Sequence, residues 1–254
     1  MKIVLSGVET NNKGAELMLY AILQEIDKTH PCSDVFFPIH KQTIYREYPN
    51  LALHFKEESP LQLWARKLRV LSVLRKLHLP CGILEDSYPI KDADFFLDAS
   101  GYLLTDAWPM SDYSVEYFKE KFRNYHRQGT KIVYLPQAIG PLNKAITQKV
   151  LRTILDYADI IMPRDTVSMN CIKKLGLNME KFSMHGDFTS LIHCEVPSKY
   201  EHLKGKVAVI LNSRMLDQTN LPKELYFEYV SKAIETIRTN GYEPYLLNHE
   251  SYVL

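Results

Sequence analysis

Several short apolar runs in this chain end abruptly in polar residues that are suited to binding anions or moving protons. Asp98 ends one such run, and Gln137 and Arg164 follow two later ones. A carboxylate in this position can serve as a general base or accept hydrogen bonds from sugar hydroxyls. An arginine is a natural clamp for a carboxylate or a phosphate. The spacing therefore predicts a site that binds an anion and handles protons.

Turns and helix starts beside these runs supply the remaining candidates. They are Asn12 and Gly14 in the first loop, Gly101 and Asp106 after Asp98, Asp165 beside Arg164, Asp187 after a glycine, Arg214, and His249. Small polar residues and a glycine before a helix let backbone N–H groups face a ligand, helped by the positive end of the helix dipole. We interpret Asp187 and His249 as candidate catalytic residues and the others as substrate contacts.

Several candidates also have a purely structural interpretation. Asn12 can simply cap a helix, and this reading is the stronger one for the first loop. Asp165 can cap the helix that contains Ser168, and Arg164 can form a salt bridge with Asp165 or Asp187. Gly101 can be required only for a positive φ. A histidine such as His249 is more often an exposed loop residue, so these alternatives stay open.

The elements that would position the candidates alternate between strands and helices. Continuous apolar runs predict strands, and apolar residues at helical spacing predict the helices between them. The predicted strands cover residues 2–8, 34–40, 94–98, 131–135 and 159–162, and the predicted helices include 15–28, 114–127 and 166–175. This order is typical of a Rossmann-like α/β fold with a doubly wound parallel sheet, in which ligands bind outside the carboxyl ends of the strands.

The pattern changes after residue 192. Residues 193–206 are polar and aperiodic, and we interpret them as a linker between an N-terminal domain (1–192) and a second Rossmann-like domain (207–254). The second domain contains predicted strands at 206–211 and 243–247. Since about 50 residues cannot close a core of their own, it is expected to be incomplete.

Composition excludes several classes of function. A net charge of +1 does not by itself indicate nucleic acid binding. The four cysteines contain no C-x-x-C pair, and no metal-ligand spacing is present. Neither a G-x-G-x-x-G fingerprint nor a P-loop occurs, so a tightly held dinucleotide or ATP is not indicated.

Location is predicted from the apolar runs. The first run is too short for a signal peptide and no stretch reaches transmembrane length, which predicts a cytoplasmic protein. The apolar spacing of residues 61–79, with basic residues between, predicts a basic amphipathic helix, for which an ordinary solvated polar face is favoured over contact with an anionic membrane. Peripheral association with the inner face of the membrane stays open.

In order, the motifs resemble those of the polysaccharide pyruvyl transferase family. The matching pieces are N-x-G at Asn12, the D-x-S-G that starts at Asp98 with Asp106 beyond it, L-P-Q-A-I-G-P around Gln137, A-D-I-I-M-P-R-D-x-x-S around Arg164, Gly186-Asp187, and N-S-R ending at Arg214. No piece is specific alone, but the ordered set spans essentially the whole chain.

The resemblance implies two facing Rossmann-like domains in a GT-B-like arrangement, with the second truncated here and the active site in the cleft. It implies phosphoenolpyruvate as donor substrate, no cofactor, and a hexose of a surface polysaccharide or a lipid-linked oligosaccharide as acceptor. The product is a pyruvate ketal. In that chemistry Arg164 and Arg214 are the cation candidates, and Asp98, Asp187 and His249 are candidates for proton transfer.

Three departures from the family pattern qualify this expectation. The aspartate usual after the first-loop glycine is replaced by Ala15-Glu16, and the usual glycine pair after the third strand is Ser100-Gly101. The family's downstream Arg-x-His element, implicated in holding the donor, does not occur before Leu254. The alternatives are therefore a GT-B-type glycosyltransferase that uses a nucleotide sugar and a non-catalytic binding remnant.

Overall fold

A computed structural model describes residues 1–8, 10, 12–37, 48–55, 90–195, 197–212, 214–217 and 221–248. The chain divides into two compact units, Met1–His193 and Cys194–Leu254. The division falls at the beginning of the segment interpreted as a linker. Residues 61–79 and His249 lie outside the described residues.

A parallel sheet of six strands forms the centre of the first unit. Its strands are β1 (Lys2–Ser6), β2 (Ser33–Phe37), β3 (Leu51–Phe55), β4 (Phe95–Asp98), β5 (Lys131–Gln137) and β6 (Ile160–Pro163). They lie in the order β3-β2-β1-β4-β5-β6, and every neighbouring pair is parallel. The α/β fold with a parallel sheet is thereby confirmed.

Helices cover the sheet on both faces. They are α1 (Lys13–Thr29), α2 (Asp112–Arg127), α3 (Ala145–Tyr157) and α4 (Thr166–Lys173). Alternate residues of each strand point to opposite faces. Phe96 and Ile132 therefore join one core cluster with residues of α2 and α3, whereas Ile3 and Val35 join a second cluster with residues of α1.

The strand order reverses direction at β1. The chain runs from β1 outward to β2 and β3, and then returns to place β4 on the other side of β1. In open parallel sheets such a switch point leaves a crevice at the carboxyl ends of the strands. The ends of β1 and β4 are therefore where this fold offers room for a ligand.

The second unit contains two parallel strands and two helices in its described part. The strands are β7 (Lys206–Leu211) and β8 (Glu243–Asn248), and the helices are α5 (Arg214–Asp217) and α6 (Lys223–Thr239). Helix α6 buries none of its residues, and Ile210 and Leu246 are exposed. The described part of this unit thus holds no buried core of its own.

The strands differ from the sequence expectations in two main details. Strand β3 was not predicted, and β5 continues through Pro136 to Gln137 instead of ending at residue 135. The peptide bond Gly140–Pro141, in the loop after β5, is cis. Within the described ranges, no helix is both long enough and apolar enough to cross a membrane.

Candidate functional site

The loops that follow β1, β4, β5 and β6 form a continuous rim at the carboxyl edge of the sheet. Backbone hydrogen bonds join them: Ala99 N donates to Ser6 O (2.8 Å), Ala138 N to Gly101 O (2.9 Å) and Arg164 N to Gln137 O (2.9 Å). Because each loop is fastened to its neighbour, the side chains on the rim have fixed relative positions. Most of the sequence-predicted residues of the first unit lie on or beside this rim.

Gly7 and Ser100 touch where β1 and β4 diverge. Gly7 has φ of +80°, and a Cβ at this position would clash with the backbone nitrogen and the hydroxyl of Ser100. Only glycine combines that conformation with so close an approach. Nothing in the sequence pattern marked Gly7, because its neighbour is almost a hundred positions away in the chain.

Asp98 is the last residue of β4 and is 3% exposed. Its carboxylate accepts a hydrogen bond from Ser100 N (3.1 Å). Burial raises the pKa of Asp98, and the hydrogen bonds from Ser100 and the charge of Lys121 offset this only in part. Asp98 therefore retains a proton to higher pH than an ordinary aspartate, which suits it to donate one.

Gln137 ends β5 and is completely buried. Neither Nε2 nor Oε1 of its side chain has a hydrogen-bond partner. Leaving a buried amide unpaired costs about 1–3 kcal/mol, so such groups in native proteins require an explanation. An amide held this way at a strand end can pair with a polar ligand.

Arg164 brings two predicted carboxylates together at the end of β6. Its Nη1 lies 3.3 Å from Oδ2 of Asp187, and its Nε lies 3.9 Å from Oδ2 of Asp165. The guanidinium is partly exposed, with 38% of the side-chain surface accessible. It can therefore hold an anionic ligand and the two carboxylates at the same time.

Both carboxylates are also fixed by the backbone. Asp165 accepts from Ser168 N (2.7 Å) and caps α4, and this hydrogen bond lowers the pKa of Asp165. Asp187 accepts from the backbone N (3.0 Å) and the hydroxyl (2.7 Å) of Thr189, at the start of the 3-10 helix Phe188–Leu191. The structural interpretation of Asp165 as a cap is confirmed.

Two other candidates have clear structural roles. Asn12 caps α1 by accepting from Gly14 N (2.9 Å) and Ala15 N (3.3 Å). Asp106 accepts from Asn143 N (2.6 Å) and thereby joins the loops that follow β4 and β5. Although burial opposes it, the hydrogen bonds to this carboxylate lower the pKa of Asp106.

Two predicted residues lie outside the described part of the first unit. Arg214 begins α5 in the second unit, and its side chain is not among those described; His249 lies outside the described residues altogether. The described portion of the chain contains no group of three or more His, Cys, Asp or Glu side chains placed to hold a metal ion.

A family model for polysaccharide pyruvyl transferases matches residues 12–253, nearly the whole chain. The chain belongs to this family. The match includes every rim residue described above except Ser6 and Gly7, and extends through both units. No curated protein sequence matches the chain significantly.

Several solved structures resemble this chain in fold, although their sequences are only distantly related to it. They include HepE of Anabaena in complex with UDP and glucose, at 12% identity over 97% of this chain and 68% of that one (TM-score 0.42). UDP-GlcNAc 2-epimerases of Methanocaldococcus jannaschii (8% identity, 97% and 65%, TM-score 0.46) and Neisseria meningitidis (12% identity, 99% and 73%, TM-score 0.45) are also similar. The chain thus spans about two thirds of the length of these proteins.

In this chain Ala15-Glu16 replaces the aspartate that usually follows the first-loop glycine in the family, and the structure shows where the carboxylate of Glu16 lies. Glu16 is 7% exposed, and its carboxylate contacts Lys13 Nζ (2.6 Å) and the hydroxyl of Tyr20 (3.1 Å). All three residues belong to α1. The longer carboxylate is therefore directed into contacts within its own helix.

Proposed function

We propose that this protein transfers a pyruvyl group from phosphoenolpyruvate to two hydroxyls of a hexose in a surface polysaccharide or its lipid-linked precursor. The family match supports a transferase of polysaccharide biosynthesis. The structural observation that carries the chemistry is the buried carboxyl of Asp98 at the carboxyl end of β4, whose pKa is raised by burial. The scheme uses no cofactor, since phosphoenolpyruvate is a substrate.

The reaction needs one proton donor and a means of deprotonating two hydroxyls. The enol donor accepts a proton at its methylene carbon, which gives C2 oxocarbenium character. One sugar hydroxyl adds to C2 and loses its proton, and the bond between C2 and the phosphate oxygen breaks. A second hydroxyl then adds to the same carbon and loses its proton. The products are a pyruvate ketal and inorganic phosphate.

Asp98 is assigned the protonation of the methylene carbon. A general acid must hold its proton near the working pH, and burial shifts the pKa of Asp98 in that direction. Ser100 N fixes one carboxyl oxygen through its hydrogen bond.

Arg164 is assigned the binding of the negatively charged carboxylate or phosphate of the donor. A guanidinium binds a carboxylate or phosphate through paired hydrogen bonds, and it stabilises negative charge as phosphate leaves. Gln137 can add an N–H hydrogen bond to the same anion, because its amide has no partner within the protein. Asp187, fixed by Thr189, is the candidate to accept a hydroxyl proton.

The location of the protein follows from these substrates. Phosphoenolpyruvate is a cytoplasmic metabolite, and a lipid-linked precursor is carried on the inner face of the membrane. We therefore assign the protein to the cytoplasm, with peripheral association at that face as it meets its acceptor.

A thermal-shift comparison tests the donor. The full 254-residue chain is melted with phosphoenolpyruvate and, separately, with a panel of UDP- and GDP-sugars. A ligand that binds the folded state raises the melting temperature. We expect phosphoenolpyruvate to raise it. Stabilisation by a nucleotide sugar alone would instead support a glycosyltransferase, and no stabilisation by any of them would support a binding remnant.

A further inference from the structure

Two exposed aromatic side chains stand on the loop that follows β4, next to the candidate site. Tyr102 is 41% exposed and Trp108 is 50% exposed. We propose that this β4-loop aromatic pair, Tyr102 and Trp108, is the platform on which the acceptor sugar stacks, on the β4 side of the rim and away from Arg164. The inference rests on the function proposed above and assigns the residues that position its acceptor.

The loop that carries the pair is continuous with the candidate site. It begins directly after Asp98, the last residue of β4. Tyr102 follows Gly101, whose carbonyl accepts from Ala138 N (2.9 Å), and Ala138 follows Gln137. The aromatic pair therefore belongs to the same rim as the proposed proton donor and the unpaired amide.

Hydrogen bonds fix both rings while much of their surface stays accessible. The indole N–H of Trp108 donates to Tyr102 O (2.6 Å). The hydroxyl of Tyr102 accepts from the hydroxyl of Thr105 (3.1 Å), and Thr105 is completely buried. Since the indole has no other N–H to offer, a ligand that reaches Trp108 meets the face of a ring that is held in place.

Leaving these rings in water has a cost that a ligand can recover. A tyrosine or tryptophan buries about 150–250 Å² when it is packed. With close to half of each side chain exposed, roughly 100 Å² of mostly apolar surface per ring stays in water, and covering it is worth about 2 kcal/mol. A single exposed apolar residue is normal in a soluble protein. Two rings fastened to each other at the mouth of a site form a binding surface.

A pyranose ring matches this surface. Axial C–H bonds form its faces and equatorial hydroxyls project from its edge, so one face can lie on an aromatic ring while the hydroxyls stay free to react. The C–H bonds carry a partial positive charge, which the negative face of an aromatic ring attracts. A pair of free hydroxyls at the ring edge is what the proposed ketal requires.

Charge separates the acceptor side of the rim from the donor side. Within residues 99–111 the sequence has one charged residue, Asp106, whose carboxylate accepts from Asn143 N (2.6 Å). The nearby ammonium of Lys144 donates to Asp106 O (2.8 Å). These charges join two loops, which leaves the aromatic pair suited to a neutral sugar. Phosphoenolpyruvate, with its carboxylate and phosphate, is assigned to Arg164 at the end of β6, two strands away in the sheet.

Saturation-transfer difference NMR tests the platform with sugars that need no donor. The probes are the methyl β-D-pyranosides of glucose, galactose and mannose, with sorbitol as a polyol that has no ring. They are compared on the wild type, Tyr102→Ala, Trp108→Ala, Trp108→Phe and Tyr242→Ala. Tyr242 precedes β8 in the second unit and is 56% exposed, so Tyr242→Ala controls for loss of an exposed aromatic ring.

We expect saturation to concentrate on the C–H protons of one face of a bound pyranoside, in the wild type and in Tyr242→Ala alike. Tyr102→Ala and Trp108→Ala should each weaken binding about tenfold, whereas Trp108→Phe keeps a ring face and should retain most of the affinity. Sorbitol should receive no saturation. Equal saturation in Trp108→Ala and the wild type, or none with any of the three pyranosides, overturns the proposal.

Tryptophan fluorescence gives a second readout on the wild-type chain. The sequence has two tryptophans, so the emission that Trp108→Phe removes belongs to Trp108. Acrylamide should quench this emission in the free protein, and a bound pyranoside should protect it. If acrylamide does not quench it, the protein itself covers Trp108 and the assignment is wrong. A dimer that Trp108→Ala dissociates, detected by light scattering, would instead make the pair a contact between copies.

These measurements omit phosphoenolpyruvate, so the platform and the proposed function fail separately. Binding of phosphoenolpyruvate without any sugar contact at Trp108 contradicts the platform and leaves the donor assignment intact. Sugar stacking on a protein that does not bind phosphoenolpyruvate supports the platform and contradicts the proposed function.

Discussion

The guanidinium of Arg164 lies 3.3 Å from the carboxylate of Asp187, at the mouth of the parallel sheet. Both groups are about half exposed, and an ion pair of this kind stabilises a protein by at most about 1 kcal/mol. The pair contributes too little stability to require an arginine here. It does hold a cation and a carboxylate side by side beside the buried ends of β4 and β5, where the proposed reaction needs them.

Asp98→Asn should abolish most of the transfer activity. Asparagine preserves the shape of the side chain but cannot donate the proton, and loss of a general acid typically reduces the rate about 10²- to 10⁴-fold. The measurement is phosphate release from phosphoenolpyruvate with a saccharide acceptor. Wild-type rates in the variant would show that another group protonates the donor.

The same substitution should change how stability depends on pH. Because the folded-state pKa of Asp98 is raised, its stabilising contribution is complete below the ordinary aspartate pKa of about 3.9 and is lost as pH rises through the folded pKa. We expect the wild-type melting temperature to fall relative to that of Asp98→Asn as pH rises from about 4. Parallel curves for the two proteins contradict the raised pKa.

Asp159→Asn is the matched control, with the opposite sign. Burial opposes the shift, but hydrogen bonds from Ile132 N and Lys131 lower the pKa of Asp159. Its contribution is therefore present above about pH 3.9 and is lost as pH falls through the folded pKa. Relative to Asp159→Asn, the wild type should lose stability only as pH falls below about 3.9. Pyruvyl transfer should continue in Asp159→Asn.

Gly7→Ala should destabilise the protein more than Gly129→Ala. The two glycines have φ of +80° and +79°, so both substitutions carry the same conformational cost of about 1–2 kcal/mol. Only at Gly7 does the new methyl group meet Ser100; no atom lies within 4 Å of the position at Gly129. Chemical denaturation measures the difference. Equal losses of unfolding free energy in the two variants would show that the loop after β4 shifts to accommodate the methyl group without loss of stability.

Gln137→Leu should leave the ligand-free protein as stable as the wild type or stabilise it. Replacing an unpaired buried amide by an apolar side chain of similar size removes a desolvation cost. The same change should reduce the thermal stabilisation by phosphoenolpyruvate, because the N–H donor is lost. A variant that melts well below the wild type yet responds fully to phosphoenolpyruvate would assign Gln137 to the core.

Much of the fold could be predicted because buried parallel strands are continuous apolar runs. Strand β7 matches its prediction at both ends, and β1 and β4 differ from theirs by two residues or fewer. Strand β3 was missed because its residues alternate between partly buried and exposed and include a histidine, which weakens the apolar signal. The domain division at the linker stays a prediction.

The candidate site could be predicted only in part. Strand ends are visible in sequence, so Asp98, Gln137 and Arg164 were found, but pairing between distant segments is not. The contact of Gly7 with Ser100 and the unpaired amide of Gln137 both depend on which loops the sheet order makes neighbours.

Calorimetric titration of phosphoenolpyruvate into the wild type, Arg164→Ala and Lys149→Ala tests the donor assignment most directly. Lys149 forms an exposed ion pair with Asp112 (2.7 Å) and has no assigned role at the rim, so Lys149→Ala controls for loss of a surface charge. The account predicts binding in the wild type and the control, at least about tenfold weaker binding in Arg164→Ala, and melting temperatures within about 4 °C of each other. Equal affinity in all three proteins, or binding of nucleotide sugars with none of phosphoenolpyruvate, would contradict it.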